Sequence, residues 1–250
     1  MLSKNIVKKI TSLHIAKYRY QYGLFIAEGP RLVDEILYSD QKVVEVYYTA
    51  EWYHPMMDKA KLCFQVTTDE MGSISALTTP TQVLAVVKIP EYNLSDVDAE
   101  HQLTIALDTI QDPGNMGTII RLADWFGIDS ILCSNETVDA FSPKVVQASM
   151  GAITRVKVIY CNLAGELQKL TEKVPIYGTF MDGESIYSLN LSQTGIVVMG
   201  NEGTGINPEV EKLITQKIHI PSFAKDRTSV ESLNVAMATA IVCSEFKRRG

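Results

Sequence analysis

Three segments of this sequence combine glycines with polar side chains in a way that a simple turn does not require. Each lies next to a short apolar run of the kind that forms a buried strand. The segments are DTIQDPGNMGTIIR (108–121), MGNEGTGINPE (199–209) and IPSFAKDRTSVESLN (220–234). In an open parallel sheet, the loops that leave the carboxyl ends of the strands collect ligands. We therefore expect these three segments to carry the chemistry of the protein.

The second segment is a glycine-rich loop. Gly200, Gly203 and Gly205 follow the apolar run GIVVM, and such glycines let a backbone bend sharply and approach a ligand closely. A nucleotide cofactor is one candidate ligand. The loop lacks the Lys-Ser/Thr pair of a P-loop and is not a GxGxxG dinucleotide motif, so nothing indicates a phosphate cradle. Taken alone, the pattern is weak and favours a plain turn from strand to helix.

The candidate polar residues of these segments are Asn115, Arg121, Glu202, Ser232 and Asn234. Each also has a purely structural interpretation. Asn115 could cap a helix, and Arg121 could be solvated, because it lies opposite the apolar stripe of that helix. Glu202 could be an exposed loop acid. Ser232 and Asn234 could cap the apolar helix LNVAMATAIVCSEF that follows them.

The rest of the sequence predicts two α/β domains. Upstream of residue 90, helix-like and strand-like runs alternate in a way that favours a compact α/β/α unit. Downstream, short β-rich runs alternate with capped helices, which is typical of a parallel sheet with helices on both faces. The acidic, polar stretch PEYNLSDVDAEHQ (90–102) interrupts the apolar pattern. We therefore predict domains at 1–95 and 103–250.

Three sites carry the signals of helix starts. Asn115 follows Pro113 and Gly114, Ser142 precedes Pro143, and Asn207 precedes Pro208. Each site places a capping side chain or a proline where a helix can begin. We predict that a helix begins at each site.

Composition narrows the class of protein. No apolar run reaches the roughly 18 to 20 residues that a membrane span needs, and the N-terminus lacks the apolar core of a signal peptide, which favours a cytoplasmic protein. Cys63, Cys133, Cys161 and Cys243 lie far apart without metal-binding spacing, and the four histidines are equally scattered. We expect reduced cysteines in the core and no metal site.

The net charge of −6 and the pI near 5.3 argue mildly against nucleic acid as a partner. The distribution of charge matters more than its sum. Within the first 31 residues, six basic residues are met by one acid, Glu28; they are Lys4, Lys8, Lys9, Lys17, Arg19 and Arg31. They could form a local basic surface or a solvated helix face.

Taken together, the three segments resemble the SpoU (TrmH-like) class of SPOUT RNA methyltransferases. The matching motifs are DPGNMGTIIRLADWFG, VVMGNEGTGI, and an IP followed by SLNVAMATAI, in the family order over about 130 residues. The N-terminal stretch KITSLHIAKYRYQYGLFIAEGPRLVDEIL is similar to the L30e-like substrate-binding domain that often precedes such catalytic domains. The resemblance therefore covers nearly the whole chain.

The resemblance implies a fold, a cofactor and a set of site residues. The fold is a parallel sheet whose C-terminal segment forms a trefoil knot, in a homodimer with active sites at the subunit interface. By position in the motifs, the backbones of Gly200, Ile220 and Leu233 hold S-adenosylmethionine. The polar residues of the catalytic pocket are Asn115, Arg121, Glu202, Ser232 and Asn234.

The third motif departs from the family pattern, because the link SFAKDRTSVE (222–231) between its two parts is longer and charged. Substrate specificity or the contribution of Ser232 could differ as a result. For the mechanism, a guanidinium group stays charged near neutral pH. We therefore expect a charged Arg121 that binds the target phosphate and stabilises developing alkoxide, oriented by Asn115 and Glu202, while water or a neighbouring group takes the proton.

The expected function is methyl transfer from S-adenosylmethionine to a ribose 2'-hydroxyl. Ribosomal RNA is favoured over transfer RNA as the substrate, because an L30e-like extension points to ribosomal RNA. Two alternatives from other classes remain. The chain could be a non-catalytic RNA-binding or ribosome-assembly factor, or a methyltransferase that acts on a nucleobase or a protein. The set of polar motif residues argues against both.

Overall fold

The computed structural model describes residues 2–224 and 232–248. The helices are α1 (Lys4–Ser12), α2 (Ala16–Tyr22), α3 (Pro30–Tyr38), α4 (Thr68–Ile74), α5 (Pro113–Trp125), α6 (Pro143–Ser149), α7 (Leu163–Leu170), α8 (Pro208–Glu211) and α9 (Val235–Arg248). The strands are β1 (Leu24–Glu28), β2 (Val43–Tyr48), β3 (Leu62–Gln65), β4 (Val83–Lys88), β5 (Leu103–Leu107), β6 (Ser130–Ser134), β7 (Lys157–Cys161), β8 (Ile176–Ser185), β9 (Gly195–Met199) and β10 (Gln216–His219).

The chain divides into two compact units. The N-terminal unit comprises 1–91 together with 139–155, and the C-terminal unit comprises 92–138 and 156–250. The first break lies inside the polar stretch at which the sequence predicts a domain boundary. The segment 139–155, which contains α6, belongs by its contacts to the N-terminal unit although it follows β6 in the chain. The predicted domain ranges, 1–95 and 103–250, make no provision for this segment and stay a prediction.

The N-terminal unit is built on a four-stranded mixed sheet with the order β1-β4-β2-β3. β4 runs antiparallel to β1 and β2, whereas β2 and β3 are parallel. Alternate side chains of β1 and β4 form a buried cluster with apolar residues of α1 and α4. α3 packs against β1 and β4, and α6 packs against β1. The sheet needs this helical cover because β1 and β4 present apolar side chains on both faces.

One buried ion pair ties the segment 139–155 to the rest of the N-terminal unit. The Nε and Nη2 of Arg19 donate to Asp139 Oδ2 at 2.9 and 2.6 Å, and the side chains are only 3% and 16% exposed. Arg19 Nη1 donates to the carbonyl of Leu13, and Tyr20 donates to Asp139 Oδ1. Arg19 is therefore fully engaged inside the fold and is not part of a basic surface.

The C-terminal unit is built on a six-stranded sheet with the order β10-β8-β9-β5-β6-β7. Every pairing in this sheet is parallel. The central strands β5, β6 and β9 are buried along their whole length, as expected where helices cover both faces. α7 and α8 contribute to a buried cluster on the sheet, and α5 contacts β6 and packs against α9. The predicted parallel α/β fold is confirmed.

The buried strand expected at GIVVM and the three predicted helix starts are confirmed. α5, α6 and α8 begin at Pro113, Pro143 and Pro208, each at a predicted site. The alternative interpretation of Asn115 as the cap of α5 is wrong, because the capping residue is Asp112, whose carboxylate accepts from the backbone N–H of Asn115 at 2.8 Å. Asn115 lies in the first turn of the helix instead. Its side chain is therefore free to act elsewhere.

The predicted place of the cysteines in the core is confirmed for two of them and wrong for Cys63. Cys133 and Cys243 are buried, and burial raises the pKa of both thiols, which favours the unreactive neutral form. Cys63 is exposed, so its predicted place in the core is wrong.

The predicted trefoil knot depends on the chain path between β10 and α9. Residues 225–231 of that path, and with them most of the unusual link 222–231, lie outside the described residues, so the knot stays a prediction.

Among the described residues, no helix combines the length and the apolar character that crossing a lipid bilayer requires.

We predict that Asp139→Ala lowers the free energy of unfolding by about 3 kcal/mol, because it leaves the Arg19 guanidinium buried without a countercharge. The matched control is Glu35→Ala, which breaks the half-exposed pair of Glu35 (44% exposed) with Arg155 (47% exposed) in the same unit. The control should cost less than about 1 kcal/mol. Urea titrations of both variants measure the difference. Equal losses would show that the buried pair does not stabilise the unit.

Candidate active site

The candidate site lies at the carboxyl edge of the parallel sheet, where β5 and β9 end side by side. Leu107 and Met199 are paired in register, so the loops that follow them start at the same place. Asp108 joins the two loops: its N–H donates to the carbonyl of Met199, and its Oδ2 accepts from the N–H of Asn207 at 2.6 Å. Asp108 is only 3% exposed. This carboxylate fixes the distance between the first and second segments.

Asp108 was missed by sequence reasoning. It is an acid directly after the buried run LTIAL, and that position alone would have justified naming it. Its neighbour Thr109 has a left-handed backbone (φ 59°), a conformation that is uncommon for a threonine. Thr109 is held there by hydrogen bonds from its N–H to Ser134 Oγ and from Asn201 Nδ2 to its carbonyl. The turn after β5 is thus fixed from both sides.

The glycine-rich loop closes on itself as a tight turn. Asn201 and Gly205 exchange two backbone hydrogen bonds of 3.0 and 2.9 Å. The side-chain oxygen of Asn201 accepts from the N–H groups of Gly203 and Thr204, so both backbone donors at the tip of the loop have an acceptor. A Cβ atom added at Gly200 would lie 2.5 to 2.7 Å from backbone atoms of Gly205 and Ile206. Gly200 is therefore required by the close approach of backbone to backbone.

A second junction joins all three segments through Glu202. Its Oε1 accepts from Asn115 Nδ2 at 3.0 Å, from Asn234 Nδ2 at 2.8 Å and from the N–H of Val235 at 3.0 Å. Asn234 Nδ2 also donates to Asn115 Oδ1 at 2.9 Å. We call Asn115, Glu202 and Asn234 the polar junction. It connects residues up to 119 positions apart in the chain.

The polar junction lies at the N-terminal end of α9. Asn234 Oδ1 accepts from the N–H groups of Ala236 and Met237, so Asn234 caps the helix as predicted. The Glu202 carboxylate lies where the helix dipole favours negative charge. Cap and carboxylate together fix the start of α9 to the glycine-rich loop.

The structure leaves the other two polar candidates outside the junction. Arg121 is exposed on α5, and it makes no hydrogen bond or ion pair with another described residue. It lies six residues after Asn115, so its side chain leaves the helix in a direction about 120° away. Arg121 therefore does not donate to the side-chain oxygens of Asn115 or Glu202, which the expected orientation by these two residues would require. Ser232 is exposed next to residues that lie outside the described part.

The three cofactor candidates have backbones that could serve a ligand. Gly200 and Ile220 are half-buried at the ends of β9 and β10, and Leu233 lies next to the polar junction. Neither the amide nor the carbonyl group of Ile220 or Leu233 forms a backbone hydrogen bond with another described residue. Among the described residues, no group of three or more His, Cys, Asp or Glu side chains is placed to hold a metal ion.

Comparison with known proteins identifies the family to which the sequence belongs. The family model described as the SpoU rRNA Methylase family matches residues 102–244, and the model of the MRM3-like substrate binding domain matches residues 4–85. The chain belongs to the SpoU rRNA methylase family. The first match includes the whole polar junction and all the candidate site residues. The second match lies within the N-terminal unit.

Several proteins are similar to this SpoU family member over nearly its whole length. The 23S rRNA (guanosine(2553)-2'-O)-methyltransferase RlmP of Bacillus subtilis is 31% identical over 94% of this chain and 93% of its own length. A protein of Porphyromonas gingivalis described as an RNA methyltransferase of the TrmH family is 41% identical, with a TM-score of 0.88 and full coverage of both chains. An AdoMet-bound rRNA methyltransferase of Sinorhizobium meliloti is 28% identical, with a TM-score of 0.88 over 100% of this chain and 96% of the other.

We predict that Gly200→Ala abolishes the compact glycine-rich loop, because the new methyl group would collide with the backbone of Gly205 and Ile206. Cofactor affinity should fall at least tenfold. Gly203→Ala is the matched control in the same loop, since its Cβ would meet only Asn201 Oδ1 at 3.5 Å and its backbone is not left-handed. Calorimetric titration of both variants with S-adenosylmethionine tests this, and equal affinities would contradict it.

Proposed function

We propose that this protein is an S-adenosylmethionine-dependent methyltransferase that modifies a ribose 2'-hydroxyl of ribosomal RNA. The observation that carries the proposal is the polar junction, which brings the three family motifs together at the carboxyl edge of the sheet. The names of the relatives support the substrate, because the B. subtilis protein is a 23S rRNA 2'-O-methyltransferase. A cytoplasmic location is the corresponding prediction.

The cofactor fits the backbone groups around the glycine-rich loop. Its sulfonium supplies an electrophilic methyl group when it is bound. We propose that the backbones of Gly200, Ile220 and Leu233 hold it, as the motifs imply. The similar S. meliloti rRNA methyltransferase was solved with AdoMet bound, which supports S-adenosylmethionine as the cofactor. Backbone donors and acceptors suit such a ligand because they are fixed by the fold and discriminate by geometry.

The junction residues act as positioning residues in this proposal. Asn115 and Asn234 share their hydrogen bonds with Glu202, so each residue restrains the other two. Together they hold the start of α9 and the turn before it against the loop that would carry the cofactor. An in-line methyl transfer needs such alignment, because small displacements of the reacting atoms cost large factors in rate.

Arg121 is proposed as the catalytic residue that contacts the RNA. It is exposed, and no carboxylate of the described residues neutralises it. A charged guanidinium group can bind a phosphate through two parallel hydrogen bonds and stabilise developing negative charge on the ribose oxygen. Ser232 is proposed as a further polar contact of the pocket. Water or a neighbouring group takes the proton from the 2'-hydroxyl.

The active form is proposed to be a homodimer with its active sites at the subunit interface. α5 and α9 pack against each other, yet both leave large apolar side chains uncovered: Trp125 is 82% exposed and Met237 is 61% exposed. Apolar side chains of this size on packed helices favour association with a second copy. Arg121 lies one helical turn before Trp125, so a dimer contact there would bring Arg121 into the interface.

Mapping ribose methylation in cellular RNA with and without this protein tests the proposed function. Loss of one 2'-O-methyl group from ribosomal RNA is the expected result, and restoration by the purified enzyme with S-adenosylmethionine completes the test. Loss of a mark from transfer RNA instead would correct the substrate. An unchanged ribose methylation pattern, with RNA binding retained, would indicate a non-catalytic binding factor, and a methylated base or protein would indicate a different reaction.

We predict that Arg121→Lys lowers kcat about 100-fold while S-adenosylmethionine binding stays unchanged. Lysine keeps the positive charge but loses the planar pair of donors that matches a phosphate. Arg155→Lys, a change at an exposed arginine of the N-terminal unit, is the control and should stay within twofold of the wild type. Methyl incorporation into ribosomal RNA and calorimetry measure the two effects. Full activity of Arg121→Lys would remove Arg121 from the mechanism.

We predict that Trp125→Glu converts the homodimer into monomers, because a charge would be buried against the partner. Met181→Glu is the matched control, since Met181 is also a large exposed apolar residue (68% exposed) but lies on β8 and not on either helix. Sedimentation velocity at several protein concentrations distinguishes the two variants. A wild-type protein that sediments as a monomer at every concentration, or a dimer that survives Trp125→Glu, would contradict the proposed interface.

A further inference from the structure

A groove in the N-terminal unit is lined by four lysines. Its volume is about 570 Å³, and it is open to solvent. The lining residues are Ser39, Asp40, Gln41, Lys42, Val43, Val44, Lys59, Lys61 and Lys88. We call this set the lysine groove. Asp40 is the one carboxylate among its lining residues, so the groove carries a local charge of +3.

The lysines of the groove are not neutralised by the rest of the described chain. Lys59 Nζ donates to the backbone carbonyl of Ser39 at 3.0 Å, and none of the four lysines forms an ion pair with a described carboxylate. Lys9 of the same unit, by contrast, pairs with Glu45 at 2.6 Å. Four unpaired ammonium groups around one groove attract anions, because each adds to the same positive potential.

The sheet holds these lysines at one edge. β2 and β3 are parallel, and β4 runs antiparallel to β2, so the starts of β2 and β3 and the end of β4 share that edge. Lys42 precedes β2, Lys59 and Lys61 precede β3, and Lys88 ends β4. The strand pairing therefore brings the four backbone positions to one edge, whereas the side chains of Lys42, Lys61 and Lys88 can adjust to a ligand.

The net charges of the two units also favour the N-terminal unit as the place where an anion binds. The N-terminal unit contains 12 Lys and Arg against 11 Asp and Glu, whereas the C-terminal unit contains 11 against 18. The net charges are thus +1 and −7. An anionic polymer meets far less repulsion at the N-terminal unit, and the lysine groove is a basic cavity within it.

We propose that the lysine groove binds the phosphodiester backbone of the RNA substrate. The inference rests on the proposed function for the identity of the anion. An open groove with several separate ammonium groups suits a row of phosphates, because lysines act as adjustable point charges. A single small anion would instead be expected in an enclosed site with directed donors. The groove supplies affinity for RNA and takes no part in methyl transfer.

The test compares two triple variants of the full-length protein. The groove variant carries Lys42→Gln, Lys61→Gln and Lys88→Gln, and leaves Lys59 in place because of its hydrogen bond to Ser39. The control carries Lys4→Gln, Lys8→Gln and Lys144→Gln, which remove the same charge from exposed lysines of the same unit. The probe is a fluorescent oligouridylate of about 12 nucleotides, titrated by anisotropy at several potassium chloride concentrations.

We expect the groove variant to bind the probe at least tenfold more weakly than the wild type, and the control to stay within twofold. The slope of log affinity against log salt should fall by about two in the groove variant, because each neutralised phosphate of a single strand contributes about 0.7 to that slope. Restoring the three positions as arginines should restore binding. Thermal unfolding of all variants should match the wild type, since the exchanged side chains are exposed.

Three results would overturn the proposal: equal weakening in both triple variants, unchanged binding in the groove variant, or complete displacement of the probe by millimolar inorganic phosphate at constant ionic strength. The second readout is methyl transfer to ribosomal RNA, where the groove variant should raise KM and leave kcat unchanged. A wild-type protein that binds the probe but methylates no RNA would refute the proposed function and leave the groove assignment intact.

Discussion

The candidate active site depends on a single carboxylate oxygen. Glu202 Oε1 accepts hydrogen bonds from Asn115, Asn234 and Val235, which belong to α5, to the turn before α9 and to α9 itself. Without this oxygen, the side-chain amides of Asn115 and Asn234 and the N–H of Val235 would have no shared acceptor. Hydrogen bonds to a carboxylate are stronger than those between neutral groups. The glycine-rich loop is thereby attached to both helices that flank it.

The sheet and the location of the site could be predicted because both follow from local patterns. A parallel sheet covered on both faces requires continuous apolar strands, and runs such as LTIAL and GIVVM have that character. Once the strands are assigned, the loops after β5 and β9 must lie at one edge. The sequence showed a glycine-rich loop, but only the family motif distinguished Gly200, where the close approach of two backbone segments excludes a side chain.

Other features could not be predicted, because they depend on contacts between distant residues. The choice between Asp112 and Asn115 as the cap of α5 depends on which side chain Glu202 and Asn234 engage. The grouping of 139–155 with the N-terminal unit depends on Arg19, 120 residues away from Asp139. Spacing could show that Arg121 leaves α5 away from its apolar stripe. It could not show that Asn115 turns towards a different partner.

The distribution of charge constrains how this protein can use RNA. The C-terminal unit has a net charge of −7, because its 11 basic residues are outnumbered by 18 acidic ones, and this charge repels a polyanion at long range. Non-specific affinity for nucleic acid comes almost entirely from neutralised phosphates. The N-terminal unit must then supply most of that affinity, which fits its match to a substrate-binding domain. A catalytic unit that binds RNA weakly by itself also releases the methylated product readily, because few phosphate contacts need to break.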